Sequence, residues 1–352
     1  MPPLDDTPQA GLDADLLGHR ASVAPPVPRQ PVPVQRDAGP GKSPVELAIE
    51  QVTDPDSEPV RHRRSLLLPT AIAYDRREPN GARIYDYLLG GKDNHPADRE
   101  AGDRLVRLIP DVPVQVRENR YFLHRVVTEL VGLGVRQFID IGSGLPTRDN
   151  THEVVQARVG ALAAAAERKT PDETRVVYVD YDELACVHGR ALVSGQEDRV
   201  AMVHQDLRTP EKIFEDETVR KPIDFSQPVA VLIIAVLHFI TDAENPGAII
   251  ARIRDRLPDG SYLAISHGCP DGMEPEALAA SVAVYEKASA PFTPRSREAI
   301  TALFDGWELL EPGVCEVSQW RPELDRVDIG GNGAPVIARS GATFVGGVAA
   351  KR

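Results

Sequence analysis

The sequence is short of several things, and each shortage bears on what the chain can be. Cysteine occurs only at Cys186, Cys269 and Cys315 in 352 residues. An odd, scattered set without CxxC or Cys/His spacing argues against a disulfide framework or a metal site, and points to reduced thiols in a cytoplasmic protein. Long apolar runs are missing too. The best, VAVLIIAVLHFI at 229–240, falls short of the roughly 20 residues of a membrane span and reads as a buried strand. A basic segment followed by an apolar run is absent from the first residues, so no secretory signal is expected. Basic charge is in deficit, with a formal net charge of −13. That argues against a nucleic-acid backbone as the main partner, since phosphate contacts need clustered Lys and Arg. What remains, 42% hydrophobic and 26% charged, is the balance of a soluble globular enzyme.

Residues 1–79 differ from the rest. They hold 14 of the 31 prolines and no Phe or Trp. PPVPRQPVPVQ at 25–35 is polyproline-like, and such composition buries too little apolar surface to offset the entropy of ordering, so a disordered tail is expected. Order should begin near Asn80. GARIYDYLLGGKDNHPADREAGDRLVRLIP (81–110) reads as a helix, a Gly90–Gly91 break, a polar loop and a second helix capped by Asp93 or Asn94. A third helix over 116–134 completes an N-terminal helical cap, 80–134.

From QFIDIGSGLPTRDN (137–150) onward, strands and helices alternate. Strands are expected at 175–180, 200–206, 228–239 and 261–268, the fourth nearly all apolar as a strand covered on both faces must be. This alternation implies a mostly parallel, Rossmann-like α/β sheet with right-handed crossovers over 135–352. At its end WELLEPGVCEVSQW and GATFVGGVAA suggest an antiparallel hairpin at one sheet edge, with Trp320 more suited to core than to a pocket wall.

Ligands of such sheets bind outside the carboxyl ends of the strands. There Gly142 and Gly144 form a tight turn after the first strand, behind Asp140. Asp180 follows the second strand and Asp206 the third. An acid after the second strand can accept from both ribose hydroxyls, and one after the third from an adenine amino group. A dinucleotide would want a third glycine where Thr147 stands, and an acid roughly 20 residues beyond the turn, whereas Asp180 lies 38 beyond Gly142. These differences favour S-adenosylmethionine over NAD.

The segments ARIYDYLLGGKDN (82–94), RQFIDIGSGLPTRDNTHEVVQ (136–156), RVVYVDYD (175–182), HQDLRTP (204–210), VAVLIIAVLHFITD (229–242), SYLAISHG (261–268) and WELLEPG (307–313) resemble the actinobacterial family of S-adenosyl-L-methionine-dependent methyltransferases known as the DUF574 group. The likeness spans about 80–352. It implies the class I methyltransferase fold, with Gly142 and Gly144 along the methionine portion and Ser143 between them as a further cofactor-binding residue. It further implies Asp180 at the ribose, Asp206 and Leu207 at the adenine, and the Ala235 carbonyl near the ammonium, with Tyr181 as a further cofactor-binding residue. Tyr85 or Asn94 would reach the cofactor if 82–94 acts as a lid; a static helical hairpin is the equal alternative. His238 and His267, at the ends of the fourth and fifth strands, are the weak general-base choices, with structural histidines as the plainer reading. The expected activity is methyl transfer to a small-molecule acceptor. A cofactor-binding regulatory protein without transfer, or less readily an NAD-dependent oxidoreductase, are the rival readings.

Overall fold

The structure, a computed structural model, describes residues 77–147, 149–169, 172–324 and 343–352. The Pro-rich stretch expected to be disordered lies outside them up to residue 76. No helix among the described residues is long and apolar enough to cross a membrane.

Among the described residues three helices come first: α1 (Gly81–Leu88), α2 (Pro96–Leu108) and α3 (Val112–Gly132). Strands and helices then alternate through β1 (Gln137–Ile141), α4 (Thr151–Ala165), β2 (Arg175–Asp180), α5 (Glu183–Leu192) and β3 (Val200–His204). The short helices α6 (Pro210–Glu215) and α7 (Glu217–Arg220) lead to β4 (Ala230–Ile234), α8 (Pro246–Arg256) and β5 (Tyr262–Cys269). The last elements are α9 (Pro275–Tyr285), α10 (Arg297–Ala302), β6 (Glu308–Leu309), β7 (Cys315–Glu316) and β8 (Thr343–Ala350).

The sheet order is β3-β2-β1-β4-β5-β8-β6, with β7 also on β8. The first five strands are parallel, and β8 runs antiparallel to β5, β6 and β7. The C-terminal segments thus pair antiparallel at one edge of the sheet, as expected. β8 is inserted between β5 and the two-residue strands β6 and β7. Its sequence allows this: VGGVAA is small enough that β8 packs on both faces, and a Cβ at Gly346 would meet Phe122 of α3 at 2.9 Å.

Each pleated strand sends alternate side chains to opposite faces. Ile139 and Ile141 of β1 join Ile213, Phe214, Ile249 and Ile253 on one side. Phe138 joins Phe122, Val126, Leu130 and Val155 on the other. Trp320 is fully buried there, edge-on to Phe122 at 5.5 Å, so it belongs to the core. A third, smaller core under the cap unites Ile84, Leu88, Leu105, Ile109 and Val116 with Val284 of α9.

Candidate active site

The order of β1 and β4 matters most for the site. The sheet changes direction of winding between them, β1 to β3 growing one way and β4 and β5 the other, and that is where an open α/β sheet leaves its ligand crevice. A cavity of about 210 Å³ lies there, reaching from Asp206 and Tyr181 past Asp180 and Gly142 to Met273 and Phe344.

The loop after β1 is folded by glycines that need their freedom. Gly142 has φ +75° and Gly144 φ +67°, both in the left-handed region. A Cβ on Gly142 would stand 2.4 Å from Val236, so the turn presses backbone against the chain leaving β4. The Gly142 N–H donates to the Val179 carbonyl at 2.7 Å. The Gly144 N–H donates to the Asp180 carboxylate at 2.8 Å, whose other oxygen accepts from the Asp182 N–H at 2.9 Å. Burial nonetheless pushes Asp180 up to about 6, these hydrogen bonds opposing it. Asn150 then caps α4, with the Glu153 carboxylate accepting from the Asn150 N–H at 2.7 Å.

Asp140 is buried and accepts from the Thr151 hydroxyl at 2.6 Å. Its pKa is raised by burial, opposed by that hydrogen bond and by the charge of Arg120. Arg120 itself lines the cavity and donates to the Asp149 carbonyl at 3.1 Å. At the far end Asp206 accepts from the Arg208 N–H at 2.8 Å, and the Arg208 guanidinium lies over the Tyr181 ring.

The cap closes the cavity from above. Asn80 accepts from the Ala82 and Arg83 N–H groups with one end of its amide. The other end donates to Asp182 at 2.8 Å and to Ser289 at 3.0 Å, tying the start of α1 to the end of β2. Tyr85 faces the cavity, donates to the Val116 carbonyl at 3.0 Å and accepts from Asn119 at 2.9 Å. The fully buried Asn119 amide oxygen has no partner among the described residues.

The family described as S-adenosyl methyltransferase matches residues 69–352. The chain belongs to that family. Among solved structures, a DUF574 family protein from Streptomyces avermitilis MA-4680 is 35% identical, with a TM-score of 0.69 over 79% of this chain and 99% of that one. A methyltransferase candidate from Thermobifida fusca YX is 33% identical, with a TM-score of 0.68 over 82% of this chain and 100% of the other. No curated protein matches the sequence. The chain is thus an S-adenosyl-L-methionine-dependent methyltransferase of class I fold, which decides between that cofactor and NAD.

The methyltransferase brings most of the residues expected from sequence to one cavity: Tyr85, Asp140, Gly142, Ser143, Gly144, Asp180, Tyr181, Asp206, Leu207, Ala235 and His238 all line it. Two are placed elsewhere. Asn94 turns into the cap, donating to Asp86 at 2.9 Å and to the Gly91 carbonyl at 3.0 Å. His267 is fully buried behind the wall. Arg295 donates to its Nε2 at 3.1 Å, its Nδ1 meets the Gly268 carbonyl at 2.8 Å, and burial lowers it to about 4, so it serves as a structural histidine.

His238 sits in a 3-10 turn, Leu237–Phe239, rather than at the end of a long fourth strand. β4 stops at Ile234 because Ala235 takes φ +58°, its N–H drawn toward Ser266. Nor does Asp93 or Asn94 cap α2. His95 holds that position, its N–H donating to Asp98 at 2.7 Å. Arg120 and Asn119 were not anticipated. Both lie within an ordinary helical pattern, and only the packing of α3 across the carboxyl ends of the strands gives them a site.

Proposed function

We propose that this cavity holds S-adenosylmethionine beneath the helical cap and directs its methyl group to a small-molecule acceptor. The observation that carries the placement is Asp180. A carboxylate has about four acceptor positions; the Gly144 and Asp182 amides take two of them and the Tyr181 backbone N–H also approaches, so acceptor capacity remains for a ribose hydroxyl. The other fittings agree. The Gly142–Gly144 turn admits a ligand where a side chain would not fit. Asp140 and the Ala235 carbonyl offer acceptors to an ammonium, and Arg120 offers a cation to a carboxylate. Tyr181, Asp206 and Leu207 stand where an adenine would lie.

The bound cofactor supplies a methyl already activated by the sulfonium. The protein therefore has to align the acceptor and exclude water. The cap does the second, since α1 is anchored to both Asp182 and Ser289 across the opening. Calorimetry with S-adenosylmethionine, S-adenosylhomocysteine and NAD tests the placement. Both sulfur nucleosides should bind to wild-type protein, and Asp180→Ala should weaken them by about tenfold or more, as expected for lost hydrogen bonds to a charged group. Full affinity in a folded Asp180→Ala protein would move the ribose elsewhere.

A further inference from the structure

The part of the cavity beyond the strand ends is unlike the rest. Leu88, Leu105, Val112, Met273, Leu278 and Phe344 wall it, drawn from the cap, from α9 and the loop before it, and from β8. The charged lining residues Asp140, Asp180, Asp182, Asp206 and Arg208 belong to the strand ends, and Arg120 stands beside Asp140. Of the two charged lining side chains on the cap, Arg120 of α3 and Asp86, the second is turned to its own loop. One oxygen accepts from the Asp93 N–H and from Asn94, and a Cβ on Gly91 would stand 2.0 Å from the other.

Aromatic rings form the wall where this compartment meets the end of β4. His238 lies 4.5 Å from Phe239 and 5.1 Å from Phe292 between ring centres, and Tyr285 stacks on Phe292 at 5.4 Å. No group among them is placed to take a proton. The Gly268 N–H donates to His238 Nδ1 at 3.3 Å, which leaves the ring proton on Nε2, and burial holds this imidazole far below its usual range. The Tyr85 hydroxyl donates to Val116, Ser281 donates to Ala277, and burial pushes the Cys269 thiol up to about 11.

An acceptor for this compartment needs an apolar body, a nucleophile that requires no enzymic base, and a use for aromatic faces. A neutral amine meets all three. Its lone pair is free without deprotonation, and the positive charge that passes to nitrogen is stabilised by ring faces. A phenol or alcohol would have to lose its proton, and among the described residues walling this compartment no side chain is free to take it.

Resting on the cofactor placement above, we propose that the acceptor is an uncharged hydrophobic amine, methylated on nitrogen, held in the compartment between α1–α3 and α9. The nitrogen lone pair forms the N–CH₃ bond as the methyl–sulfur bond breaks, with that bond's electron pair passing to sulfur. The resulting ammonium releases a proton to water after it leaves.

The test uses the full chain with a panel of alkyl and aralkyl amines, and phenols, alcohols and carboxylic acids on matched skeletons. Binding to protein loaded with S-adenosylhomocysteine is measured by calorimetry, and methylated product by mass. Amines should exceed their oxygen counterparts by about tenfold or more, and turnover should rise with pH along the amine's own titration. Met273→Arg should abolish amine binding while affinity for S-adenosylhomocysteine stays within about twofold. Preference for phenols or acids, or no amine response by a protein that binds S-adenosylhomocysteine, would overturn the acceptor class alone. Failure of the wild-type protein to bind either sulfur nucleoside would overturn the cofactor placement as well.

Discussion

Gly144 and Asp180 are joined by a 2.8 Å hydrogen bond from the Gly144 amide to the carboxylate. The turn after β1 is thereby locked to the end of β2 before any ligand arrives. The acid that would meet a ribose also sets the shape of the loop that would meet the methionine portion, so the two halves of the site are not independent.

That coupling carries a pH dependence. Asp180 is raised to about 6 in the fold, above the roughly 3.9 of an unfolded chain. Between these values the folded state holds the extra proton, so its contribution to stability is complete at low pH and is lost as pH rises through about 6. Ribose hydroxyls donate to the ionised form and should reverse the trend. Affinity for S-adenosylhomocysteine is expected to grow between about pH 5 and pH 7, and Asp180→Asn to flatten that rise. Calorimetry across the range reads both, and a flat wild-type profile would count against the assignment.

Gly142→Ala should damage fold and site together. A left-handed backbone disfavours a residue with a Cβ by roughly 1–2 kcal/mol, and the new atom would stand 2.4 Å from Val236. A total loss of about 2–4 kcal/mol is expected in denaturant unfolding. Val236→Ala in the same chain should return part of it. Simple additivity of the two substitutions would show that the close approach is not the source.

In the cap, Gly91→Ala is expected to be destabilising by about 1–3 kcal/mol, because its Cβ would run into the Asp86 carboxylate. The same substitution at Gly90, where no atom lies within 4 Å but φ is +80°, should lose only the backbone part, about 1–2 kcal/mol. Thermal unfolding of the pair separates crowding from backbone strain. Equal losses would refute the role given to Asp86.

Asn80→Ala removes both a helix cap and the tie to Asp182 and Ser289. A stability loss of about 1–2 kcal/mol is expected from the cap. Faster amide exchange should appear across 81–94, with the strands unaffected. Exchange that stays slow in that segment would show that the small core under the cap holds it closed without the tie.

Much of this molecule is legible in its sequence because its strands are buried on both faces. β1, β2 and β3 announce themselves as compact apolar runs, and the acids at or just beyond their carboxyl ends follow from the topology. What resists reading is set by distant partners. Nothing local in AVLHF tells the chain to leave β4 at Ala235; the hydrogen bonds to Ser266 on the neighbouring strand do. Asn119 looks like any polar helix residue until Tyr85 and the cavity lie beside it. The position of β8 depends on small residues fitting against Phe122, more than two hundred residues earlier.

The insertion of β8 bears on how the protein is built in time. The strand-end half of the site comes from consecutive β–α units, whereas the acceptor compartment joins Leu88 near the beginning of the described fold to Phe344 near its end. Contacts between such distant segments close the largest loops, and are slow to form. The hypothesis is that the cofactor half matures first in refolding, with the acceptor half completed last. Pulse-labelled amide exchange would reveal it as protection in β1 and β2 that precedes protection in α1 and β8; simultaneous protection would rule it out.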